Sequence, residues 1–174
     1  MTPSFLSPAL CADGTTTSPL RRALGRDGWS AYLGDPEQVR DVSLQGIVEI
    51  RGAVDAVAPE AGEELLRLSP RRGFLFTEAN PVEVVARIRA TGALAYDATG
   101  ALAGIAIASE QVMRRLTDLD LDAIPTAGPF ARVSALFRRG PDGWFHVYVQ
   151  QELGHYAAEA VLDALAGLEQ TTWR

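Results

Sequence analysis

The sequence predicts an α+β fold of antiparallel or mixed sheets with packed helices. Three observations predict it. Short alternating or β-branched runs recur along the chain, as in SLQGIVEIR, FARVSALFR and WFHVYV. Helical stretches fall between them without the strict one-for-one alternation of a parallel sheet. The 174 residues are 47% hydrophobic and 22% charged, enough for one sizeable domain or two small ones sharing a core.

The elements follow in order. Residues 1 to about 18, rich in Pro, Ser, Thr and Gly, read as a tail, with ordered structure beginning near SPLRRAL. Residues 43 to 51 read as a strand with Ile47 and Glu49 on one face and Val48 and Ile50 on the other, ended by Gly52. Residues 53 to 68 have helical composition interrupted by Pro59 and Gly62, which predicts two short helical pieces. GFLFT is a short apolar strand. In NPVEVVARIRATG, Asn80 is a cap, Pro81 suits the first turn, Glu83 stands three residues after the cap and Gly92 closes the helix. Residues 93 to 109 read as two strands joined near Thr99 and Gly100, and Glu110 to Leu116 as a short helix.

TDLDLDAIP is a loop. Residues 130 to 138 alternate as a strand, RGPDG is a turn, and WFHVYV returns as the hairpin partner. From Leu153, apolar residues at Tyr156, Ala157, Ala160, Val161, Ala164, Leu165 and Leu168 form one helical stripe.

The net charge of −6 argues against unspecific nucleic-acid binding, which needs clustered cations to displace counterions. All sixteen basic residues are Arg, so Schiff-base chemistry and a phosphate-loop lysine are excluded. Cys11 is the only cysteine, which leaves no internal disulfide and no CxxC motif. The N-terminal stretch lacks the charged start and long apolar run of a secretory signal, and no run approaches a membrane span, so the expected location is cytoplasmic.

Few residues are candidates for chemistry. Asp118, Asp120 and Asp122 alternate as in a calcium loop, but the Gly and Glu such a loop needs are Ala123 and Pro129 here, which predicts a solvated or capping role. GALAG lacks the dinucleotide spacing, and no GxSxG elbow exists. The pairs Arg71–Arg72 and Arg138–Arg139 have the chemistry to grip an anion, with surface solubility as the commoner role. His146 and His155 are the only histidines. His146 shares a strand face with Trp144 and Tyr148, while His155 rides the last helix beside its apolar stripe; neither ligand spacing, i and i+2 or i and i+4, occurs, so no shared metal is expected.

DVSLQGIVEIRG at 41 to 52 resembles the opening strand motif of the glycine-cleavage T-protein (aminomethyltransferase) superfamily. LAYDATGALAGIAIAS, VMRRLTDLDLDAIP, RRGPDGWFHVYV and HYAAEAVLDAL follow in the order and approximate spacing of that superfamily's folate-binding domain, and the resemblance covers about three quarters of the chain. Length, SPL and LQGIVEIRG are most similar to the γ subunit of sarcosine oxidase. The resemblance implies a single compact domain over 19–170, built of two subdomains, about 19–92 and 93–170.

It also implies a possible cofactor, tetrahydrofolate, held by His146 and Tyr148 with Arg132 or Arg138 on the glutamate tail. Two departures weaken the catalytic side. Between Gly52 and Gly92 the chain has only Asp55 where aminomethyltransferases carry paired aspartates, and His146 stands where the family places a pterin-binding Glu. A carboxylate accepts two hydrogen bonds in parallel and a neutral imidazole only one. No catalytic residue is assigned. The expectation is a non-catalytic accessory subunit whose partners carry flavin, NAD and folate sites. The alternatives are a stand-alone folate-binding or one-carbon protein and a homodimeric interaction domain.

Overall fold

A computed structural model describes residues 18–21 and 38–169. All of the expected tail except Ser18, Cys11 included, lies outside the described residues. In chain order the strands are β1 (Val39–Asp41), β2 (Gly46–Arg51), β3 (Glu64–Ser69), β4 (Arg72–Thr77), β5 (Leu94–Asp97), β6 (Leu102–Ile107), β7 (Thr126–Phe130), β8 (Val133–Arg139) and β9 (Phe145–Gln150). The α-helices are α1 (Pro81–Ala90), α2 (Glu110–Leu116) and α3 (Gly154–Glu169). The class is α+β, with two sheets that are antiparallel at every pairing.

The described residues divide into two compact units, one of Leu44–Gly100 and one in which those up to Ser43 join those from Ala101 onward. The border expected at 92/93 falls between α1 and β5, inside the first of these.

In the Leu44–Gly100 unit the strand order is β3-β4-β2-β5. Val48, Ile50, Leu75 and Ala95 turn to one face, where α1 buries Val84, Val85 and Ile88 against them. The helix starts as its residues require: the Asn80 side chain accepts a hydrogen bond from the Val82 N–H, and Pro81 occupies the first turn. Gly92, at φ 88°, takes the left-handed conformation that closes it.

The helical expectation for residues 53 to 68 is corrected. Only Val54–Ala56 forms a 3-10 turn, and Glu64–Ser69 is strand β3, paired antiparallel with β4 with one register shift between Arg67 and Ser69. Glu and Leu favour helices when nothing else decides, but the adjacent β4 supplies a hydrogen-bonding edge across a tight turn, and pairing overrides propensity.

In the other unit the order is β1-β6-β9-β8-β7. One face carries Ala103, Ile105, Ile107, Phe137, Phe145, Val147 and Val149, which share a core with Val112 and Met113 of α2 and Ala157, Ala158 and Val161 of α3. Phe130 and Phe137 meet edge to face, with ring centroids 6.0 Å apart. The opposite face carries Gly104, Ala106, Leu136, His146 and Tyr148, alternating with the first set as strand periodicity dictates.

Three further expectations change in detail. The strand expected from residue 130 is two strands: the chain reverses at Ala131 and Arg132, and Thr126–Phe130 is an additional edge strand. Gly128 and Pro129 hide it from sequence periodicity, and the edge position tolerates a residue without an N–H. The strands before and after Thr99 and Gly100 enter different sheets. Tyr156 leaves the buried stripe of α3 and is 45% exposed. No helix among the described residues is long and apolar enough to cross a membrane.

Candidate functional site

The turn between β8 and β9 and the strand that follows it place His146. Gly140 N–H donates to the Trp144 carbonyl and Gly143 N–H to the Gly140 carbonyl, each at 2.9 Å, and Gly143 adopts φ 81°. This tight closure brings Asp142 back over the strand. Its Oδ1 accepts a hydrogen bond from Trp144 N–H and lies 3.6 Å from His146 Nε2, while its Oδ2 lies 3.6 Å from Arg40 on β1. The Arg40 guanidinium in turn sits 4.1 Å over the Trp144 ring.

On the other side of the imidazole, Tyr148 Oη is 3.4 Å from Nδ1, and the two rings meet edge to face. Arg138 is the cross-strand partner of His146.

Space around His146 is filled. The residue is 5% exposed and Tyr148 is fully buried. A Cβ at Gly140 would run into His146 Nε2, so glycine is the residue that lets the turn fold down on the ring. Among the described residues Nε2 has no hydrogen-bond partner, since 3.6 Å to Asp142 is beyond hydrogen-bonding reach. Burial pushes the imidazole below its ordinary pKa; Asp142 pulls it upward and Arg138 downward, and burial prevails.

The group is therefore neutral at physiological pH, and its titration is linked to folding. The unfolded chain takes up a proton near pH 6.5, where the folded chain does not. Between the unfolded and folded pKa values the unfolded state binds more protons. Stability is thus expected to fall as pH drops below about 6.5, until the folded pKa is passed and the difference saturates. Urea midpoints at about pH 7.5 and pH 5, for the parent chain and His146→Gln, check this: part of the acid-side loss should vanish in the variant.

Of the four residues expected at a ligand site, the structure brings together His146, Tyr148 and Arg138. Arg132 precedes β8, six residues from Arg138, which is roughly 20 Å along an extended chain. It borders a different feature, a cleft of about 620 Å³ formed by α2, the β7–β8 turn and α3, on the helix-covered side of the sheet. The two histidines are likewise separated, His146 on β9 facing away from the helices and His155 on α3. Among the described residues, no group of three or more His, Cys, Asp or Glu is placed to hold a metal ion.

Three of the other sequence candidates, Asp120, Arg72 and Arg139, have structural partners. Asp120 caps a 3-10 turn by accepting from Asp122 N–H. Arg72 pairs with Glu49, and Arg139 lies 3.5 Å over the Phe145 ring. Sequence reasoning missed Asp142, whose i,i+4 offset from His146 across a Gly-rich turn was the available signal, and it missed Arg40, which tertiary pairing alone brings near.

The fold is shared with a solved heterotetrameric sarcosine oxidase. The matching chain comes from the enzyme of Corynebacterium sp. U-96 in complex with pyrrole 2-carboxylate, with a TM-score of 0.69 over 87% of this chain and 95% of that one. Sequence identity is 15%, so the likeness speaks to the fold. No protein-family model and no curated protein matches the sequence.

Proposed function

We propose that this chain is an accessory, non-catalytic subunit of the sarcosine oxidase γ type, with the aminomethyltransferase-like fold, in a cytoplasmic complex whose other subunits carry flavin and folate chemistry. The observation that carries the reading is near-complete mutual coverage: the chain spans 95% of its structural neighbour, which belongs to a heterotetramer. The region around His146 agrees with it. A pterin site requires an open face with paired acceptors, whereas His146 and Tyr148 are 5% and 0% exposed.

Purification of the tagged chain from its native extract tests the proposal. A stoichiometric complex with a larger flavin-containing subunit is the expected result, and recovery of the chain alone would overturn it.

The second reading, a tetrahydrofolate-binding protein, draws on the juxtaposition of His146, Tyr148 and Arg138. A ligand there must displace packed side chains, at the cost of buried contacts. Calorimetry with tetrahydrofolate at about 1 mM, a concentration that still detects weak binding, should show no heat for the parent chain. A gain of binding in His146→Glu would favour the folate reading.

A further inference from the structure

The cleft between α2, the β7–β8 turn and α3 combines charges of both signs that do not pair with each other. Arg115 and Arg132 line it together with Asp118 and Asp163, and Tyr156 stands among them. Among the described residues, Arg132, Asp118 and Asp163 form no ion pair within 4 Å. Arg115 directs one N–H to the Ala164 carbonyl at 3.3 Å. Flexible opposite charges free to move on one surface usually collapse together, though for little gain. Here each is carried by a separate element, and the elements are tied in place.

The ties converge on the turn. Ala131 N–H donates to the Leu116 carbonyl at 2.7 Å, and the Tyr156 hydroxyl donates to the Ala131 carbonyl at 2.7 Å. The turn is thereby anchored to both helices. It is also strained: Ala131 and Arg132 sit at φ 47° and 71°, the two left-handed positions of a two-residue hairpin where Asn and Gly are preferred. A guanidinium is thus carried on a backbone that favours glycine, and Arg132 lines the cleft together with Tyr156.

We infer that this cleft binds a small zwitterion, a molecule carrying both a carboxylate and an ammonium group. Arg132 offers the planar fork that matches a carboxylate, while Asp118 and Asp163 accept from an ammonium. The Tyr156 ring covers the intervening carbon atoms. A volume of about 620 Å³ admits molecules of this class and leaves room for a short spacer between the charges.

The test is NMR titration of the full chain with glycine and 6-aminohexanoate, which differ in charge separation, beside acetate and methylammonium, which carry one charge each. Saturable shifts at the Tyr156 and Arg132 amides are expected with at least one zwitterion, at least about tenfold tighter than with either single-charge probe. Equal response to acetate or methylammonium, or no response to either zwitterion at about 50 mM, would overturn the inference.

Arg132→Gly removes the guanidinium and relieves the left-handed strain. It should weaken binding by at least about tenfold while thermal stability holds or rises. Asp163→Asn, on the exposed side of α3, should weaken ammonium recognition without unfolding the chain. Unchanged affinity in both variants would place the probe elsewhere and sink the proposal.

Discussion

Gly104→Val is expected to destabilise the chain by about 3 kcal/mol or more, at or beyond the upper end of ordinary overpacking. Gly104 lies in the middle of β6, directly opposite Tyr148 on β9. A Cβ there would stand 2.6 Å from Tyr148 Cε1 and 2.9 Å from the Val42 carbonyl carbon. The first obstacle is a ring that cannot swing away, because Tyr148 is fully buried. The second is backbone, held by the Val42 N–H bond to the Gly104 carbonyl at 2.9 Å and by the Ser43 hydroxyl accepting from Gly104 N–H at 3.0 Å. Urea denaturation measures the loss, as a lower midpoint with an unchanged slope. A change within about 0.5 kcal/mol would mean that the ring or the backbone yields easily.

Tyr148→Ala is expected to cost roughly 3 to 5 kcal/mol, the range for deleting a large buried aromatic side chain. Tyr148→Phe should cost less, since the ring and its packing stay in place and only the hydroxyl's interactions are lost, the 3.4 Å contact to His146 Nδ1 among them. The contrast bears on function. A tyrosine held at an open ligand face would lose little stability on truncation, whereas one that fills the space over a glycine loses most of its packing. Gly104→Ala combined with Tyr148→Ala should cost less than the sum of the two, because removing the ring removes the main obstacle to the added methyl.

Several elements were legible from local residues alone. Asn80, Pro81 and Gly92 bracket α1, and the helix runs Pro81–Ala90 between them. Glu110 to Leu116 is helical as expected, capped by the Ser109 side chain, and the RGPDG turn joins β8 to β9. The strand placement of His146 and Tyr148 on a common face follows from a two-residue period and holds. Where reading failed, a distant partner decided. Glu64–Ser69 looks helical until β4 pairs with it, and Thr126–Phe130 looks like a loop until β8 folds back.

The site shows the same division. That His146 occupies a strand was written in the alternation of WFHVYV, but nothing local says that Gly140 closes over its ring or that Asp142 stops short of hydrogen-bonding distance. Tyr156 shows the converse, an aromatic that fits the apolar stripe of α3 by spacing yet is 45% exposed and turned to the β7–β8 turn. Caps, turns and periodicities act through neighbours a few residues apart, so the sequence by itself determined the α+β class, the helix ends and which residues share a face. Burial, unpaired charge and cleft geometry depend on what segments far apart in the chain bring to one place. Only the tertiary structure decided that the histidine face is filled, and that Arg132, Asp118 and Asp163 meet in a cleft no local pattern marks.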